Sequence, residues 1–76
     1  MTECNVLNIL PIDGDTAIVV DGDRKLFKNG ITVRDEYGQL YEVMSVGIEK
    51  NISENINSDR TSLFLSGKFS SKKIYL

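Results

Sequence analysis

Two Asp-Gly-Asp units, Asp13-Gly14-Asp15 and Asp21-Gly22-Asp23, are the residues in this 76-residue chain whose spacing comes nearest to a reactive or ligating site. Carboxylates at alternate positions around a glycine offer the oxygen donors that a hard cation such as calcium prefers. Their separation rules out a shared ion. Asp15 and Asp21 bracket the apolar run Thr16-Ala17-Ile18-Val19-Val20, and a strand of that length holds its ends roughly 20 Å apart. Each unit alone supplies two side-chain ligands, and Asp beside Gly is turn chemistry. They are read as turns, and no metal or cofactor is expected.

Catalysis has equally little to work with. The chain contains no histidine, so it lacks the commonest general base and the commonest zinc ligand. Serine and cysteine nucleophiles are left without their usual partner. Cys4 is the single cysteine and stands beside Glu3, the wrong charge for stabilising a thiolate. It is read as a small apolar residue of the first strand. A lone cysteine permits no internal disulfide, which fits a reducing compartment. No enzyme activity is expected.

Charge is distributed unevenly. Residues 1–23 carry Glu3, Asp13, Asp15, Asp21 and Asp23 and no Lys or Arg, whereas residues 60–76 carry Arg60, Lys68, Lys72 and Lys73 and no acid. Either the two ends neutralise each other in one fold, or the basic stretch meets a phosphate or an acidic partner. Phe69 and Tyr75 lie among these cations, and Phe27 lies between Lys25 and Lys28. Aromatics interleaved with cations are what a single-stranded nucleic acid stacks on. The candidate binding residues are Arg60, Lys68, Phe69, Lys72, Lys73 and Tyr75, with neutralisation the favoured outcome. Asn51-Ile52-Ser53 fits a glycosylation acceptor, but the N-terminus has no secretory signal pattern. No apolar run approaches the roughly 20 residues of a membrane span, and a soluble cytoplasmic protein is expected.

The elements that would position these residues are short strands between turns. Val6-Leu7-Asn8-Ile9-Leu10 is apolar and is ended or interrupted by Pro11, a residue that suits an edge because it has no N–H. Thr16–Val20 is apolar on both faces, which predicts cover on both sides. Asn29-Gly30 predicts a tight hairpin turn with positive φ at Gly30. Ile31-Thr32-Val33-Arg34 alternates, and Glu36-Tyr37-Gly38-Gln39 is a turn. Residues 40–48 form the longest predicted strand. Val43 and Val46 both point inward there, an odd spacing that predicts a bulge. Residues 49–60 are ambiguous between a loop, an extended arm and a helical turn. Leu63 and Leu65 face the core from another strand, and Lys73-Ile74-Tyr75-Leu76 closes the fold. About six short strands at this turn spacing predict one all-β domain over residues 1–76, a small closed or nearly closed antiparallel barrel. Its expected interior is Ile18, Val20, Ile31, Val33, Val43, Val46, Leu63 and Leu65.

Taken in order, these segments resemble the β-barrel that forms the second domain of elongation factor Tu and other translational GTPases. Thr16 to Gly22 is similar to the family's first strand signature. Asn29-Gly30 stands where the family has a Gly-Asp turn. Val43-Met44-Ser45-Val46 resembles its Val-x-x-Ile pair, Leu63-Phe64-Leu65-Ser66-Gly67 its late strand, and Lys73-Ile74 its last. The resemblance implies a barrel that binds rather than catalyses; in the family it helps hold the acceptor end of aminoacyl-tRNA. None of the residues that do so is matched here, and no Gly-x-x-x-x-Gly-Lys-Ser/Thr phosphate loop occurs. The expected function is a non-catalytic binding module that docks a protein partner or self-associates through an edge strand or the 49–60 segment. The alternative is an RNA-binding accessory module that uses the C-terminal basic stretch.

Overall fold

The alternation becomes six antiparallel strands: β1 (Glu3–Ile12), β2 (Asp15–Val20), β3 (Thr32–Arg34), β4 (Leu40–Ile48), β5 (Thr61–Leu65) and β6 (Lys73–Tyr75). They are seen in a computed structural model that describes residues 2–22, 24–48 and 60–76. The strands close into a barrel in the order β1-β2-β5-β4-β3-β6. The all-β closed barrel expected from the turn spacing is thus observed. One 3-10 turn (Arg24–Leu26) interrupts it, and no α-helix occurs among the described residues. The 49–60 segment, except Arg60, lies outside the described residues.

Period-two patterning fixes which side chains go inside. Along β2, Thr16, Ile18 and Val20 are buried, and along β5 so are Thr61, Leu63 and Leu65. Six of the eight expected core residues are fully buried, namely Ile18, Val20, Val33, Val43, Leu63 and Leu65; Ile31 and Val46 are half-buried and pack against them. Cys4, Phe27, Tyr41, Phe69 and Ile74 complete the core. The buried threonines carry their own partners. Thr61 Oγ1 donates to the Gly22 carbonyl at 2.7 Å and Thr16 Oγ1 to the Gly67 carbonyl at 2.8 Å. A hydroxyl enters an apolar interior at little cost only when paired in this way.

The predicted bulge lies where the alternation slips, with the β4–β5 register shifting between Val43 and Ser45. The other side of β4 is then met by Asn29, whose Oδ1 accepts from the Val46 N–H at 3.1 Å. This is the role of the Asn29-Gly30 turn, and it differs from the hairpin expected. The turn runs from Lys28 to Ile31, with φ +91° at Gly30 but not at Asn29. A two-residue type I′ hairpin needs positive φ at both central residues. That geometry occurs instead at Asp13 (φ 46°) and Gly14 (φ 87°), which join β1 to β2.

Pro11 does not end β1; the strand continues to Ile12 and is longer than β4. Its pairing explains why. Ile12 and Asp15 close the two-residue hairpin, so they form a hydrogen-bonded pair. The next pair, Pro11 and Thr16, is then non-bonded, and Pro11 turns its missing N–H outward. Two residues earlier the outward Ile9 N–H is taken by Asn8 Oδ1 at 3.0 Å. Beyond the β6 pairing, the edge of β1 has no strand partner among the described residues, and it offers few donors to an added strand. Among the described residues, the cover expected on both faces of β2 is found on the inner face only. Ala17 and Val19 are half-buried, shaded by cross-strand neighbours such as Leu10 and Phe64 rather than by a second layer.

Two glycines test this packing. A Cβ on Gly30 would meet nothing within 4 Å, so Gly30→Ala should cost about 1 kcal/mol through backbone strain alone. An unchanged denaturation midpoint would contradict the turn. Gly22 is a matter of space. A Cβ there would lie 2.8 Å from Cys4 Sγ and 3.2 Å from the Phe27 ring. Gly22→Ala should cost about 1–3 kcal/mol, and a Cys4→Ala background should relieve at least about 1 kcal/mol of it. Equal costs in both backgrounds would show that the thiol is not the obstacle.

Candidate functional site

The basic C-terminal stretch does not form one patch. Lys73, on β6, makes a 2.7 Å ion pair with Glu3 on the adjacent β1. That contact holds the Lys73 ammonium above the usual lysine range. Lys72 is exposed, and its backbone is tied on both sides. Its N–H donates to Glu36 Oε1 at 3.2 Å, and its carbonyl accepts from the Val6 N–H at 2.9 Å. Arg60 is exposed at the start of β5. Phe69 is a correction: it is 3% exposed and packs edge-on against Tyr41 with ring centroids 5.1 Å apart. Its ring cannot stack on a ligand. Phe27, the other aromatic flanked by lysines, is buried as well. Both rings are large apolar bodies in a short chain, and core filling takes precedence over the charge of their neighbours.

The aromatic that the sequence reading left out is Tyr37, which is 82% exposed. The signal was present in Glu36-Tyr37-Gly38-Gln39, because an aromatic at the centre of a turn has no core to enter. The turn is held from beneath by Asp35. Its Oδ1 accepts from the Tyr37 N–H at 2.8 Å and the Gln39 N–H at 2.9 Å, while Tyr41 Oη donates to its Oδ2 at 3.0 Å. The Asp35 N–H in turn donates to the Gln39 carbonyl, and the Gly38 N–H to the Asp35 carbonyl. Burial pushes the Asp35 carboxyl upward, but the hydrogen bonds from Gln39, Tyr37 and Tyr41 outweigh it and hold the group below the ordinary aspartate range. Glu36 faces the other way. Ser71 Oγ donates to its Oε1 at 2.8 Å, which locks the turn to the loop before β6 and lowers the carboxyl.

Two open hollows flank this turn and share Leu40, itself 56% exposed. The larger, about 460 Å³, lies between the β3–β4 turn and the 66–70 loop, with Tyr37, Leu40, Ser66, Lys68 and Ser70 on its walls and Asp35 and Tyr41 at its base. The smaller, about 310 Å³, is lined by Thr32, Arg34, Leu40, Tyr75 and Leu76. Register explains their adjacency. Leu40, Arg34 and Tyr75 are successive cross-strand partners on β4, β3 and β6, and Val33 between Thr32 and Arg34 points inward. The three side chains therefore stand in one row on the outer face. Lys68 and Arg34 are exposed, and neither takes part in an ion pair among the described residues. Of the expected binding residues, Lys68 and Tyr75 join this surface, whereas Lys72, Lys73 and Arg60 line neither hollow.

Cys4 is buried, and burial together with Asp21 and Glu3 pushes its thiol above the ordinary range, consistent with packing rather than reactivity. Among the described residues, no group of three His, Cys, Asp or Glu side chains is placed to hold a metal ion, and no helix is long and apolar enough to cross a membrane. Compared with protein-family models, with curated proteins and with solved structures, the chain matches none.

The Asp35 knot generates a pH prediction. Its folded value is depressed, so its contribution is fully present above the unfolded value and is lost as pH falls through the folded one. Thermal stability should decline as pH drops below the carboxylate range. Asp35→Asn should destabilise the protein at pH 7 by about 1–3 kcal/mol and flatten that acid slope. Melting curves between pH 7 and 2 would check this, and parallel slopes for both proteins would rule out Asp35 as a source of the acid dependence.

Proposed function

We propose that this protein is a non-catalytic binding module that docks a protein partner on the surface around Tyr37 and Leu40. The observation that carries the reading is the exposure of these two large apolar side chains, 82% and 56%, on a turn that Asp35 holds in one conformation. Exposed aromatics on rigid backbone lose little entropy on binding, and tyrosine is enriched among the residues that dominate interface energies. The sequence resemblance to a translation-factor barrel implies work by binding, and the turn supplies the surface. Docking by strand addition at β1 is disfavoured by Pro11 and by the Asn8 bond to the Ile9 N–H. The RNA-binding alternative draws less support because Phe69 is buried and Lys73 is paired with Glu3.

The test is capture on a tagged chain. Wild-type protein should retain a specific partner from a cell extract after nuclease treatment, and the Tyr37→Ala/Leu40→Ala variant should lose it with the barrel still folded. Retention by the double variant would reject this surface. Loss of the partner on RNase treatment, with micromolar affinity for an RNA oligomer that falls steeply with salt, would favour the RNA module instead.

A further inference from the structure

We infer that the segment bound by this surface is an extended acidic one, with an apolar side chain held between two carboxylates. The inference rests on the docking reading above and adds the partner's chemistry. The two hollows meet at Leu40, and each has one exposed cation and one tyrosine on its wall: Lys68 with Tyr37 in the first, where Tyr41 lies at the base, and Arg34 with Tyr75 in the second. Asp35 is the only acidic side chain lining either hollow among the described residues. It is 5% exposed, and its oxygens are already accepting from Tyr37, Gln39 and Tyr41. The surface is therefore positive at two points and apolar between them, in a chain whose net charge is −2.

Geometry favours a strand-like ligand. Leu40, Arg34 and Tyr75 stand one strand spacing apart, about 4.8 Å each, and Lys68 lies across the turn from them. An extended peptide places alternate side chains on one side about 7 Å apart. Acid, apolar residue and acid at alternate positions would then reach Lys68, the Tyr37–Leu40 wall and Arg34 in turn. Arg34 is the better of the two for a carboxylate, since its guanidinium can grip both oxygens. A nucleic acid fits less well. Two cations neutralise at most two phosphates, so the electrostatic term that dominates such binding is small. Glu3, the next residue in the same cross-strand row beyond Tyr75, would repel a continuing phosphate chain, although Lys73 offsets it.

The probe is a fluorescein-labelled peptide with a central Glu-Ser-Phe-Ser-Glu, set against its Lys-Ser-Phe-Ser-Lys counterpart and a single-stranded RNA oligomer. The acidic peptide should bind with a dissociation constant on the order of 100 μM or tighter, more weakly as salt rises. Lys68→Glu and Arg34→Glu should each weaken it by about tenfold or more, as should Tyr37→Ala. Lys28→Glu, a charge change that lines neither hollow, should leave it unaltered. Should a charge reversal perturb folding, as judged by its melting curve, Lys68→Gln and Arg34→Gln replace it, with a smaller loss expected. No saturable binding up to about 1 mM, equal binding of the lysine peptide, or tighter binding of the RNA through the same residues would each overturn the inference. Protein capture that depends on Tyr37 and Leu40 but not on Arg34 or Lys68 would overturn it while leaving the docking surface intact. Capture that depends on none of the four would remove both.

Discussion

Backbone amides left over by short strands govern this structure. A strand of three residues makes few ladder bonds, and β3 and β6, each of that length, meet at the single pair Arg34 and Tyr75. The barrel closes because side chains supply what the ladders lack. Asp21 accepts from the Asn5 N–H, Asp15 from the Gly67 N–H, Thr16 from the Phe69 N–H and Asn29 from the Val46 N–H. Asp35 accepts from two amides at once. A bond to a charged acceptor contributes roughly 1.5–3 kcal/mol. In a domain of this size, whose total margin is only about 4–11 kcal/mol, each of the part-buried contacts is a sizeable fraction of the stability.

That constraint bears on the two Asp-Gly-Asp units. Asp15 and Asp21, one acid from each unit, are committed as acceptors. Asp15 and Asp21, once weighed as ends of a cation site, face different loops: Asp15 holds the segment after β5, and Asp21 clamps β1 through both the backbone and the side-chain amide of Asn5. At opposite ends of β2 and bound to different partners, the two carboxylates do not share a site.

Legibility followed sequence distance. The strands with local alternation, β2 and β5, the bulge after Val43 and the positive φ at Gly30 could be read directly, because each depends on neighbours in the chain. Phe27 and Phe69 could not. They sit outside the alternating runs, and their burial depends on loops folding back, Phe27 over Gly22 beside Cys4 of the first strand and Phe69 against Tyr41, 28 residues earlier. The Asn29-Gly30 turn was misread as a hairpin for the same reason. Its dipeptide favours one, but the preceding segment is a 3-10 turn rather than a strand, and Asn29 is taken by β4. Asp35 gave no signal of burial, since a charged residue after an alternating strand reads as a solvated turn. Only three donors from the turn and from Tyr41 make its burial tolerable.

The uneven charge along the chain resolves once strand order is known. β1, which carries Glu3, lies beside β6, which carries Lys73, so the two ends of the sequence become neighbours. Of the two alternatives, neutralisation is realised at Glu3 and Lys73, and exposed pairs of this kind stabilise weakly. What matters more is the positive charge that remains elsewhere. Arg34 comes from the middle of the sequence and Lys68 from its end, yet β-sheet register and one pinned turn bring them to either side of Leu40. No linear stretch of the sequence contains that surface. It exists because the amides of the β3–β4 turn required a buried carboxylate, and satisfying them fixed Tyr37 and Leu40 in the open between two cations.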